Sequence, residues 1–246
     1  IRDIKWVGNS VFSTAWLDMV LRMKPGDVYN QNELENRLLY DEDAVKNMYY
    51  NDGYVFFNAL PVEAKIENDS VDIEIRMVEG VQATIDRVTI SGNDRVYEEV
   101  VRRELYTLPG SLFSMNALER SWRNIANMGH FDPENLQPDI QPISDELVDV
   151  NFPLTEQASD QFNIAGGWGS GTFVGSIGVT FNNLSIKNAL KKGAWRPYPM
   201  GQNQRLSING QTNGTYYKAL SLSFTDPWLG GKKPNSFTIS GHISEQ

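Results

Sequence analysis

The residues that could do chemistry are few and scattered. The two histidines, His130 and His242, are far apart and share no metal-ligand spacing. The 246 residues contain no cysteine, which excludes thiolate chemistry and disulfides. "GWGSGT" (167–172) looks like a glycine-rich phosphate loop, but such a loop must lead into a helix N-terminus, and a strand-like run follows here. "DED" (41–43) reads as a solvated helix face, and "ENDS" and "ISDE" read as turns. No nucleophile–base pair or paired carboxylates stand out. The expectation is a protein that is not an enzyme, with no catalytic residue, no metal and no cofactor.

What remains is chemistry of the backbone. "IAGGWGSGTFVGSIGVTF" (164–181) holds six glycines and no charge. Glycine weakens strands and helices alike, so its density needs a reason.

Charge is divided unevenly along the chain. Residues 1–160 carry 14 Lys and Arg against 29 Asp and Glu, whereas residues 161–246 carry 8 against 2. That change predicts a boundary near residue 160. An acidic front half argues against a nucleic-acid surface, which needs clustered Lys and Arg. No run of about 18 apolar residues occurs, so no transmembrane helix is expected. The chain opens directly on strand-like "IRDIKWVGN" with no signal-peptide pattern, which suggests a segment of a longer protein.

The first 157 residues repeat. "IKWVGNSVF" (4–12) aligns with "VTISGNDRV" (88–96), and Gly8, Asn9, Pro25, Gly26, Asn32, Leu34 and Glu35 all recur 84 positions later. Gly53 in "YYNDGY" aligns with Gly129 in "IANMGHF" at an offset of 76, which leaves eight extra residues in the first copy around "LYDEDAVK". Each copy reads β-α-α-β-β. Leu17, Val20 and Leu21 share one face of the first helix, and "KPGD" ends it. Asn30 and Glu33 predict a capping box for a second helix that buries Leu34, Leu38, Val45 and Met48. "VEAKIEN" and "SVDIEIRMV" follow as strands joined at Asn68-Asp69. Copy two buries Val100, Val101, Leu105, Leu118, Trp122 and Ile125 at matching places. A three-stranded sheet backed by two helices has edges that could accept an extended peptide or simply face water.

After residue 160 the period is two. Five strands of about 9–11 residues carry large apolar side chains on one face and Ser, Thr, Asn and Gly on the other. A charge-poor polar face fits a barrel lumen better than the outside of a soluble sandwich. Trp195, Tyr198 and Trp228 sit in connections where an interfacial aromatic girdle is expected. Five strands do not close such a barrel, so the closing strands are expected outside these residues.

Together these motifs resemble one family. "GN" after the first strand, "PG" between helices, "NxGY/F" and a closing "VEG" resemble POTRA domains, and "QFNIAGGWGSGTFVGSIGVTF" with "SLSFTDPWLGGKKPNS" resembles the barrel that follows them in the BamA family of outer-membrane protein assembly factors. The resemblance implies an α+β pair of POTRA repeats (β-α-α-β-β) followed by antiparallel transmembrane β-barrel strands. The domains would be POTRA 1–80, POTRA 81–157 and barrel strands 158–246. It implies a β-barrel insertase in the outer membrane of a Gram-negative bacterium, with residues 1–157 periplasmic. Its partners would be unfolded outer-membrane β-barrel proteins, periplasmic lipoproteins of the assembly complex and outer-membrane lipid, with no nucleic acid. Clients would add strands to POTRA edges and pair at a seam formed by the first barrel strand: Gln161, Phe162, Asn163, Ile164, Ala165, Gly166, Gly167, Trp168 and Gly169. The glycines would let that seam open, or simply let the sheet curve. The alternative within the resemblance is a POTRA-barrel transporter that secretes one dedicated protein. The connection from Asn182 to Asn203 departs from the family's barrel pattern. It is long, basic and aromatic, and it falls on the side where turns are normally short.

Overall fold

A computed structural model describes all of residues 1–246 except Ser170, Arg196 and Thr215. The chain divides into two compact units. One comprises Ile1–Thr89, Leu105–Arg123 and Pro138–Phe152; the other comprises Ile90–Glu104, Asn124–Gln137 and Pro153–Gln246. The division therefore passes through the second repeat.

In the first unit, β1 (Asp3–Val7) leads to α1 (Thr14–Leu21), α2 (Gln31–Glu35), α3 (Val45–Asn51), β2 (Asn58–Glu67) and β3 (Ser70–Val78). The strand order is β1-β3-β2, with β1 parallel and β2 antiparallel to β3. A parallel pair needs a long crossover, and the helices supply it. The β2–β3 turn falls on Asn68 and Asp69, with φ of 48° and 59°, the pair of positive values that a tight hairpin turn requires. Leu17, Leu21, Leu34, Leu38, Val45 and Tyr49 are wholly buried against Ile73 and Ile75. Each such side chain contributes roughly 1.5–3 kcal/mol. The Tyr49 ring stacks on Phe57 at 4.0 Å and meets Phe12 edge-on at 4.8 Å.

The second helix of this copy differs from the sequence expectation. It is not continuous: α2 passes into a π turn at Asn36–Tyr40, breaks, and restarts as α3. The eight extra residues form this break, and Arg37 holds it. Its guanidinium donates to Asp41 at 3.0 Å and Asp43 at 2.5 Å, and also to the carbonyls of Val20 and Leu21 at the end of α1. "DED" is therefore a staple across a helix break rather than a solvated helix face. Asn30 caps α2 as expected, accepting from the N–H groups of Asn32 and Glu33.

The second repeat supplies β4 (Thr84–Ser91), α4 (Glu98–Arg102), α5 (Met115–Asn127), β5 (Asp139–Ser144) and β6 (Leu147–Pro153), with strand order β4-β6-β5. Without the insertion, α5 runs unbroken for 13 residues. Both edge strands that follow the helices carry a proline and a register shift, at Pro61 with Glu63/Lys65 in β2 and at Pro142/Ser144 in β5. Proline has no N–H to give a ladder, so it is tolerated at a sheet edge.

The last elements are β7 (Gln161–Gly169), β8 (Thr172–Leu184), β9 (Gln204–Asn213), β10 (Tyr217–Asp226) and β11 (Phe237–Glu245). They form one antiparallel sheet ordered β11-β10-β9-β8-β7. Ring-closing strands are not among the described residues.

Candidate functional site

Register decides what this sheet offers. Directly paired residues of antiparallel strands share a face. Phe162, Val179, Ile208 and Leu222 form one row; Ile164, Ile177, Leu220 and Ile243 form part of the next; Phe181, Leu206, Phe224 and Ile239 form a third. The opposite face carries Asn163, Asn209, Ser221 and His242, then Ala165, Ser176, Gln211 and Ser244. The apolar face is bare: Ile164, Trp168, Ile239 and Ile243 are all more than half exposed. Water would not tolerate a patch of that extent on an ordinary soluble domain.

Among the described residues β7 pairs on one side only, with β8. Its other edge presents a row of backbone donors and acceptors. The glycines along it divide into two groups. The Phe173 ring lies over Gly166 and Gly175, where an added Cβ would approach ring carbons to 3.1 Å and 2.7 Å. Those two glycines make room for an aromatic. Gly167 and Gly169 have nothing within 4 Å of a built Cβ, so packing does not require them. Ser170 of "GWGSGT" lies outside the described residues.

Residues 158–160 lead into this strand and are held firmly within the second unit. Asp160 accepts from the Tyr198 hydroxyl at 2.8 Å and the Asn182 N–H at 3.0 Å, and the Asn182 amide also donates to the Ser159 carbonyl. His130 is buried between Ser159 Oγ (2.9 Å from Nδ1) and Asn203 Oδ1 (2.7 Å from Nε2). The amide oxygen can only accept, so Nε2 carries the proton and Nδ1 accepts from the serine. Burial pushes the His130 pKa below its ordinary value, a shift the Asn203 hydrogen bond partly opposes. A cavity of about 40 Å³ beside these groups has room for a water.

The three aromatics expected at a membrane interface divide. Trp195 is exposed. Tyr198 is buried instead, with its hydroxyl taken by Asp160 and its ring 4.8 Å from Phe181. A side chain used in that way cannot line a girdle. Trp228 is half-buried; its indole N–H donates to Glu104 at 2.7 Å, and Arg103 lies over its ring at 5.0 Å.

Sequence reasoning missed a pair of carboxylates. Glu79 accepts from Ser10 N at 2.9 Å, Val11 N at 3.1 Å and the Tyr49 hydroxyl at 2.7 Å, with Ser10 Oγ as a fourth donor. Glu156 accepts from Arg95 N at 2.7 Å and Val96 N at 2.9 Å. Each ties the loop after a copy's first strand to the end of its last. The available signal was their matching place at the close of each copy, in "VEG" and "TEQ".

Tandem β-α-α-β-β modules leading into an antiparallel sheet with one bare apolar face define a POTRA-bearing protein. The sequence matches the POTRA family, described as "surface antigen variable number repeat", over residues 1–80 and 83–157. The chain belongs to that family. It is 29% identical over 218 residues to the outer membrane protein assembly factor BamA of Neisseria meningitidis serogroup B, covering 87% of this chain and 25% of that protein. It is 30% identical over 232 residues to a putative outer membrane protein assembly factor of Treponema pallidum, covering 92% of this chain and 25% of that protein. The chain thus spans about a quarter of the length of these curated relatives. Its fold is shared with the crystal structure of Haemophilus ducreyi BamA lacking POTRA domains 1–3, at a TM-score of 0.77 and 20% identity, over 99% of this chain and 42% of that one.

Proposed function

We propose that this chain is part of an outer-membrane β-barrel assembly factor. In this reading residues 1–157 lie in the periplasm, the last five strands begin a membrane barrel, and the protein folds and inserts client barrels. One observation supports the proposal above all: the two POTRA modules lead directly into an antiparallel sheet whose apolar face is bare and whose first strand, β7, is rich in glycine. An edge with free N–H and C=O groups can template an incoming strand, and client capture on the POTRA edges uses the same backbone chemistry. The client then satisfies in lipid the backbone groups that would otherwise cost several kcal/mol each. Gly167 and Gly169 keep the edge clear of side chains that would lock it. Periplasmic lipoproteins are the natural additional partners of the modules.

The test is depletion of the full-length gene product in its source cell, followed by quantitative proteomics of unrelated outer-membrane barrels. An assembly factor predicts that all of them fall together while unfolded clients accumulate in the periplasm. Loss of a single secreted protein with the barrels intact would overturn this reading in favour of a dedicated transporter.

A further inference from the structure

β8 and β10 run in the same direction, so the connections that follow them, 185–203 and 227–236, leave from one end of the sheet. Gln161, where β7 begins, lies at that end as well. Gln204 Nε2 donates to Asp226 at 2.9 Å and joins the bases of the two connections. The base of the first is pinned: Ser185 N donates to the Pro199 carbonyl at 2.8 Å, and Asn188 donates to the Tyr97 hydroxyl at 2.6 Å. Its tip is not buried. Leu190 is 99% exposed, and Ile186, Trp195 and, on the second connection, Leu229 are each about half exposed or more.

Cations alternate with these apolar side chains. Lys187, Lys191 and Lys192 follow Ile186 and Leu190 on the first connection, and Lys232 and Lys233 follow Leu229 on the second. All five are exposed, and among the described residues none is within ion-pair distance of a carboxylate. Asp226 and Glu245 are the sole acidic residues after position 160. At the opposite end, the sequence between β7 and β8 and between β9 and β10 contains no charged residue. A soluble surface gains nothing from holding a leucine fully in water on a pinned base. Apolar tips with lysines beside them suit the headgroup layer, where the side chain enters the acyl boundary and the ammonium stays with phosphate.

We infer that the 185–203 and 227–236 connections form an interfacial anchor that binds the anionic phospholipid surface at the end of the sheet where β7 begins. The inference rests on the reading that the sheet lies in a bilayer. Leu190, Ile186 and Trp195 enter the interface, and the five lysines select acidic headgroups.

The experiment uses the full-length protein in phosphatidylethanolamine vesicles with or without phosphatidylglycerol. Residues 1–246 have no cysteine, so one reporter thiol, at Leu190→Cys or at Ile177→Cys on the apolar sheet face, can carry an environment-sensitive fluorophore, with any cysteine elsewhere in the chain replaced. Quenching is read with brominated phosphatidylglycerol and brominated phosphatidylethanolamine. The anchor predicts that both sites are quenched. It also predicts that the Leu190 site prefers the acidic lipid at least about fivefold, falling towards parity in K187Q/K191Q/K192Q. Quenching at Ile177 alone, or at Leu190 with no lipid preference, would overturn the anchor and leave the membrane sheet standing. Quenching at neither site would overturn both.

Discussion

Gly8 and Gly92 show how much one hydrogen atom can specify. Both have positive φ, 95° and 81°, and an added Cβ would lie 2.5 Å from the Met77 carbonyl oxygen and 2.0 Å from that of Leu154. Backbone conformation and close approach forbid a side chain in both copies. Gly92→Ala should therefore cost more than about 2 kcal/mol in urea unfolding, beyond the ~1 kcal/mol typical of a point change. Glu79 acts at the same scale. Burial raises its pKa, but the donors from Ser10, Tyr49 and Val11 outweigh burial and hold it below the ordinary carboxylate value. A group whose folded pKa is depressed stabilises above its unfolded pKa, and that contribution is lost as pH falls through the folded value. Stability should thus decline below about pH 4.3, and Glu79→Gln should flatten that limb of the profile. Glu79→Ala should cost about 3 kcal/mol by leaving buried donors without an acceptor.

At the scale of elements, β7 makes the sharpest prediction. Successive residues of an antiparallel strand direct their backbone groups alternately to its two neighbours. Proline substitutions at Asn163 and Ile164 must therefore differ. One removes an N–H from the β8 ladder and disturbs the hairpin; the other removes a donor from the edge that faces away from β8 and leaves the hairpin intact. The second kind should impair client assembly in complementation while the protein still accumulates normally. Equal assembly by both would argue against templating at this edge. The segment before β7 has its own titration. Buried His130 favours the neutral ring, so its contribution is complete above its unfolded value of about 6.5 and weakens as pH falls below it. Melting of the full-length protein should lose stability as the pH falls below about 6.5, and His130→Gln should remove that dependence while keeping a partner for Ser159 or Asn203.

The whole molecule adds a division that the repeat boundaries do not suggest. Ile90–Glu104 and Asn124–Gln137 belong to the same compact unit as Pro153–Gln246. Tyr97 N donates to the Gly201 carbonyl at 3.0 Å, Asn183 donates to the Arg95 carbonyl at 3.0 Å, and His130 meets Asn203. Truncation after residue 157 removes these partners. Hydrogen exchange should then quicken in 90–104 and 124–137, while amides of β1 and β3 keep their protection. Uniform protection in the truncated chain would show that the second repeat needs nothing beyond residue 157.

Much was legible before any tertiary structure was considered. The offset of 84 between Gly8-Asn9 and Gly92-Asn93 exposed the repeat, because both copies need the same turn; Asn9 and Asn93 even bond equivalent carbonyls, Phe12 and Val96. Period-two alternation from Phe162 to Ile243 specified strands and an apolar face, because side chains alternate across a strand whatever its neighbours are. Such signals are local. The broken second helix was not legible, because Arg37 reaches the Val20 and Leu21 carbonyls only after the chain folds back onto α1. Nor were Glu79 and Glu156, whose backbone donors lie 60 or more residues away in sequence. Tyr198 looked like an interfacial aromatic until Asp160 claimed its hydroxyl. By itself, the sequence determined the modules, the strands and the faces, through periodicity and turn chemistry. Tertiary structure alone decided which carboxylate ties which loop, which aromatic is buried and which exposed, and which glycines of β7 serve Phe173, because those depend on how the elements pack against one another.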